Sequence, residues 1–147
     1  MNARLNDESF DGLFAHWQDF ISTRHAGYYN DTKRIEQLTR EGSIVNIPLL
    51  LEYLRPWNIE AEGNWMGREW LRGVAMDAIR YLAVRDTEVA LYIRNLKENP
   101  AEQWRQFDPE LTQAWQRMGD VSNLYDPFED FMRCVDEILL CLDAERS

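Results

Sequence analysis

The sequence predicts an all-α protein, a single compact helical bundle of six to eight helices over residues 1–147. Three observations carry this. Apolar residues recur at i, i+3, i+4 and i+7 along most of the chain, the spacing of a helix with one buried face. Asn or Asp before proline, and glycine after apolar runs, stand where helices begin and end. No period-2 alternation of strand length occurs. A chain of 147 residues is one domain long and can bury a core without staples. Its 45% hydrophobic and 12% aromatic content is enough to fold at a net charge of -10.

The elements follow in order. Asn6 or Asp7 caps a first helix whose Phe10, Leu13, Phe14, Trp17, Phe20 and Ile21 fill roughly a 120° arc, opposite Glu8, Asp11, Ala15, Asp19 and Ser22; Gly27 ends it. A short second helix opens at Asn30 or Asp31 and reaches about Glu41, with Gly42 as its C-terminal stop. A third opens at Asn46 with Pro48 in its first turn, buries Leu50, Leu51 and Leu54, and breaks at Arg55 and Pro56. Trp57 and Trp65 flank the long non-helical connection PWNIEAEGNW, where exposed aromatics suit partner contacts.

The longest helix, about Asn64 to Val84, is the expected centre of the bundle. Met66, Trp70, Leu71, Val74, Ala75, Ala78, Tyr81 and Leu82 cover nearly half its wheel, and Gly67 in that arc would admit a neighbouring helix closely. Met76 and Ile79 lie among Arg68, Glu69, Arg72 and Arg80 on the other side. Either a neighbouring helix covers that side too, or the apolar pair marks a contact surface. Asp86 caps a further helix, Thr87 to Lys97. NPAE at 99–102, DPEL at 108–111 and DPFE at 126–129 repeat one helix-start signature, a capping residue followed by a first-turn proline, with Glu102 and Glu129 at the capping-box position.

The stretch YDPFEDFMRCVDEILLCLDAE, residues 125–145, raises the functional question through its seven carboxylates. On a helical wheel Phe128, Phe131, Met132, Val135, Ile138, Leu139 and Leu142 form a buried stripe. Glu129, Asp136 and Asp143 line one flank; Asp130 and Glu137 line another, with Arg133 between the rows. The acids therefore point outward. A catalytic pair would need one acid poorly solvated, and a di-metal bundle site would need inward Glu-x-x-His units, of which the chain has none.

Other chemistry is sparse. Cys134 and Cys141 lie seven residues apart on one helix, with Cα atoms roughly 10 Å apart and beyond disulfide reach; without a CxxC or a His cluster they predict reduced thiols and no metal. His16 with Asp19 one turn on, and His25, suit helix-surface hydrogen bonding. Asp77 falls on the rim of the long helix's apolar arc beside Trp70 and Tyr81, the carboxylate most expected to be partly desolvated. There is no GxSxG, P-loop or GxGxxG. No enzyme activity and no cofactor are expected.

Twenty-six acids against sixteen bases disfavour phosphate backbones and anionic lipid and favour a protein partner with a basic surface. No apolar run is long enough for a transmembrane helix, and the N-terminus lacks a signal-peptide layout, so a cytoplasmic location is expected. The functional expectation is an acidic, non-enzymatic binding protein that neutralises a partner effector by occluding it. Small, acidic, helical and motif-free is also the general character of bacterial immunity proteins and antitoxins, a likeness of type. The alternatives are an adaptor or regulatory subunit, and an enzyme assembled from scattered groups such as His16, Asp19 and Asp77. The expected partner-binding residues are Glu129, Asp130, Asp136, Glu137 and Asp143, with Trp57, Trp65, Met76 and Ile79 as apolar contacts.

Overall fold

The computed structural model describes residues 29–58, 60, 65–117 and 126–146, together with Gly12 and Ala15. Gly12 and Ala15 are helical; the rest of the first predicted helix, with His16, Asp19 and His25, lies outside the described residues. The order is α1 (Tyr29–Glu41), α2 (Ile47–Leu51), α3 (Trp65–Arg85), α4 (Thr87–Glu98), α5 (Glu102–Arg105), α6 (Pro109–Gln116) and α7 (Pro127–Arg146), with single 3-10 turns at Ile44–Asn46 and Glu52–Leu54 flanking α2. Among the described residues there is no strand, and the protein is an all-α compact bundle. No helix among them is long and apolar enough to cross a membrane.

α3 is the axis. It packs against α1, α2, α4 and α7, and with neighbours on several sides it needs more than one apolar stripe. Leu71, Val74, Ala75, Ala78 and Leu82 are buried as the predicted arc, and Ile79 is buried as well. Against α3, α7 lays Phe131, Val135, Ile138 and Leu142, all buried, and Phe131 stacks on Trp104 of α5 with ring centroids 5.3 Å apart and planes 5° from parallel. Burying each such side chain contributes about 1.5–3 kcal/mol, and this shared wall holds α7 in a fixed orientation.

The helix ends follow the capping chemistry, with two departures. The Asp86, Asp108 and Asp126 carboxylates accept from the backbone N–H groups of Glu88 (2.9 Å), Glu110 (3.0 Å) and Phe128 (2.9 Å), starting α4, α6 and α7. Gly42 takes φ +66 just past α1, the left-handed stop that glycine adopts without strain. NPAE does not start its helix at Asn99: that residue is already the C-cap of α4, its N–H bonded to the Asn95 carbonyl at 2.7 Å, so α5 begins after Ala101. Nor does Asn46 cap α2. Its buried side-chain amide turns back to donate to the Leu38 carbonyl (3.2 Å) and to Glu41 (2.8 Å), closing the end of α1, while Ser43 caps the preceding 3-10 turn.

Candidate functional site

α7 carries the acidic residues, and what they meet differs from one to the next. Asp130 is drawn inward. Its oxygens accept from the Arg72 guanidinium at 3.3 and 3.1 Å, and Arg133 adds a third contact at 2.9 Å. Arg72 is only 3% exposed, donates also to the Leu54 carbonyl (3.0 Å), lies near Glu69 (3.5 Å) and stacks over the Trp57 ring at 5.0 Å. One buried arginine therefore ties α3, α7 and the 3-10 turn after α2 together. A desolvated guanidinium persists only with such partners. Asp130 is accordingly corrected from a docking carboxylate to a structural anchor, and its side chain is only 17% exposed.

The remaining acids lie at the surface. Asp136 pairs with Lys97 at 2.6 Å and Asp143 with Arg94, both bases from α4, and these acids stay 44% and 57% exposed. Glu137 pairs with Arg133 along α7 at 3.0 Å and is half exposed. Glu129 is exposed in the first turn. Between the rows, Leu140 faces solvent, 69% exposed. Asp130, Asp136, Glu137 and Asp143 are thus engaged in pairs, but the outer pairs are accessible to water.

The expected apolar contacts fare differently. Trp57 is buried, edge-on to Trp115 at 5.9 Å, and its carbonyl accepts from the Trp115 indole N–H at 2.9 Å. Ile79 is fully buried under the same wall as Ile138. Neither is available to a partner. The irregular segment around Trp57 predicts an exposed ring, and the charged neighbours of Ile79 allow either a contact surface or a covering helix; α6 closes over the first and α7 packs over the second. Met76 is half-buried against the core. The Trp65 side chain lies outside the described residues.

Asp77 is partly covered, its side chain 42% exposed, and pairs with Arg80 one turn on at 3.7 Å. It does converge with α7. Met76, Asp77 and Arg80 of α3 and Glu137, Ile138 and Cys141 of α7 line a groove of about 260 Å³. Both cysteines are free thiols, Cys134 buried and Cys141 exposed at this groove. Burial pushes the Cys134 thiol up to about 11, against the pull of Arg72 and Arg133, so it stays protonated and inert.

Sequence reasoning missed Arg72. The signal was present, since Arg72 and Ile79 are seven apart and share one stripe of α3; an apolar residue on a charged side already pointed to a covering helix. Among the described residues no group of three His, Cys, Asp or Glu side chains could hold a metal ion. What the α7 face offers is accessible negative charge on a rigid support. No protein-family model, curated protein or solved structure matches this chain.

Proposed function

We propose that this is an acidic, non-enzymatic binding protein of the immunity or antitoxin kind, acting in the cytoplasm, that neutralises a basic effector by covering its functional surface. The observation that carries the reading is the state of the outer α7 acids. Asp136, Glu137 and Asp143 are fixed on a helix whose opposite face is locked into the core, yet their present partners are surface bases. Such exposed pairs contribute about 0–1 kcal/mol each, so Lys or Arg residues of an effector can take the place of Lys97, Arg94 and Arg133 at little cost. Rigid presentation keeps the ordering cost of binding low, and a net charge of -10 steers a basic partner toward the face and repels nucleic acid.

The adaptor reading is weaker, since two of its four apolar contacts, Trp57 and Ile79, are buried; it would have to rest instead on exposed leucines such as Leu91 and Leu140.

The test is co-expression with the product of the adjacent reading frame. The expected result is growth rescued from that product's toxicity and a one-to-one complex whose association rate falls steeply with salt. An association rate indifferent to salt would remove the reading. So would a substrate turned over by the isolated protein.

A further inference from the structure

The groove between α3 and α7 brings together residues that the sequence places apart, where the edge of the core meets the surface. Its apolar wall is Met76 and Ile138, its rim carries Asp77 and Arg80 on one helix and Glu137 on the other, and Cys141 stands at the edge. Each carboxylate has a base along its own helix, Arg80 for Asp77 at 3.7 Å and Arg133 for Glu137 at 3.0 Å. Both carboxylates keep substantial contact with water, 42% and 49% exposed. An apolar trough ending in two water-accessible carboxylates, each held by a surface arginine that an incoming cation can replace, suits an aliphatic stem with a cationic head. The stem lies on thioether and isoleucine surface while the charge reaches the rim.

We infer that this groove is the anchor site for a single Lys or Arg side chain of the effector, its methylenes against Met76 and Ile138 and its cationic head between Asp77 and Glu137. The inference rests on the reading of the protein as a binder of a basic partner and names where that partner's principal residue enters. A volume of about 260 Å³ accommodates one such side chain. Contact with Asp77 extends the interface from α7 onto α3, so the docking surface runs across the seam of the two helices and is not confined to the acidic rows.

Cys141 supplies the test, because a thiol at the rim can hold a short probe in the groove. The full-length protein is equilibrated with cystamine, with 2-hydroxyethyl disulfide and with 3,3′-dithiodipropionate. In each case the Cys141 thiolate displaces one thiol and forms a mixed disulfide bearing an ammonium, a hydroxyl or a carboxylate. Occupancy at Cys141 is read by peptide mass, which separates it from buried Cys134. The expected result is a preference for the ammonium arm over the hydroxyl arm of about fivefold, and a larger one over the carboxylate. Asp77→Asn with Glu137→Gln should bring the ammonium preference close to one. Asp136→Asn with Asp143→Asn, which removes the same charge outside the groove, should leave it in place. Thermal melts check that both double variants remain folded. An equal loss in both would mean that the preference reports net charge alone, and the anchor site would be wrong; so it would be if the three arms bound equally. Either failure can coexist with salt-sensitive binding of an effector to α7, which tests the broader reading separately.

Discussion

Asp130 and Asp136 stand six residues apart on one helix, belong to the same acidic run and would be exchangeable in any count of charge. They do different things. Asp130 meets Arg72, 3% exposed and wedged between Trp57 and the Leu54 carbonyl, and becomes part of what orients α7 on α3. Asp136 meets Lys97 at the surface, where both partners are nearly half exposed. The lesson is that dielectric surroundings, and not residue type or spacing, separate a structural carboxylate from one available to a partner. In water an exposed pair trades one set of hydrogen bonds for another; in the wall of the core, loss of one partner strands a charge.

The largest expected effect sets the scale against which both acids are read. Phe131 is fully buried and stacked on Trp104. Phe131→Ala should cost about 3–5 kcal/mol of folding stability, measured by urea unfolding. A loss under about 1 kcal/mol would mean that α7 is not locked to the bundle, and the contrast between its acids would lose its basis.

Next comes the inner acid itself. Asp130→Asn should destabilise the protein by about 2–3 kcal/mol, because Arg72 keeps the Leu54 carbonyl and Glu69 but loses its bidentate partner. Replacing the pair together, Arg72→Met with Asp130→Leu, should recover much of that loss, as apolar substitutes for buried pairs often do. If Asp130→Asn were as mild as an exposed substitution, the two acids would be alike after all.

The thiols extend the comparison to another residue type on the same helix. The folded state holds the Cys134 proton up to about 11, against 9.0 for an ordinary thiol, chiefly through burial. A group raised in this way favours folding fully below pH 9, and the contribution is lost as pH climbs from 9 toward 11. Stability should therefore fall over that window, and less so in Cys134→Ala. At neutral pH one thiol, Cys141, should react with a disulfide reagent at least about tenfold faster than the other. Two thiols reacting at one rate in the native protein would contradict the burial of Cys134.

Much of this was legible in the sequence, and the reasons are local. Asp86, Asp108, Asp126 and Gly42 act through their own neighbours, so their capping and stopping roles can be read from spacing. The stripe of Phe131, Val135, Ile138 and Leu142 likewise follows from period alone. What could not be read depends on chain that arrives from far away. Trp57 sits in an irregular segment and looks available until Trp115, fifty-eight residues on, closes over it. Asp130 and Arg72 are also fifty-eight apart, and neither has a local reason to be inside. Asn99 and Asn46 mislead in a third way: each fits a helix start, but tertiary or neighbouring helix ends claim it first.

The smallest expected effect on stability is the most informative for function. Asp136→Asn with Asp143→Asn releases Lys97 and Arg94 of α4, which remain in water, and leaves the Phe131 to Leu142 stripe untouched. Stability should change by within about 0.5 kcal/mol per site, well below the cost of Asp130→Asn. The face, however, loses two accessible negative charges and leaves two bases unpaired, so a basic effector should now be repelled where it was attracted. Its association rate should drop and its salt dependence become shallower, with a smaller change in dissociation rate. Stopped-flow mixing with the effector at low and high salt reads both quantities. If stability holds and the association rate is also unchanged, the outer acids of α7 are only a solvated surface, and the difference between Asp130 and Asp136 is one of folding alone.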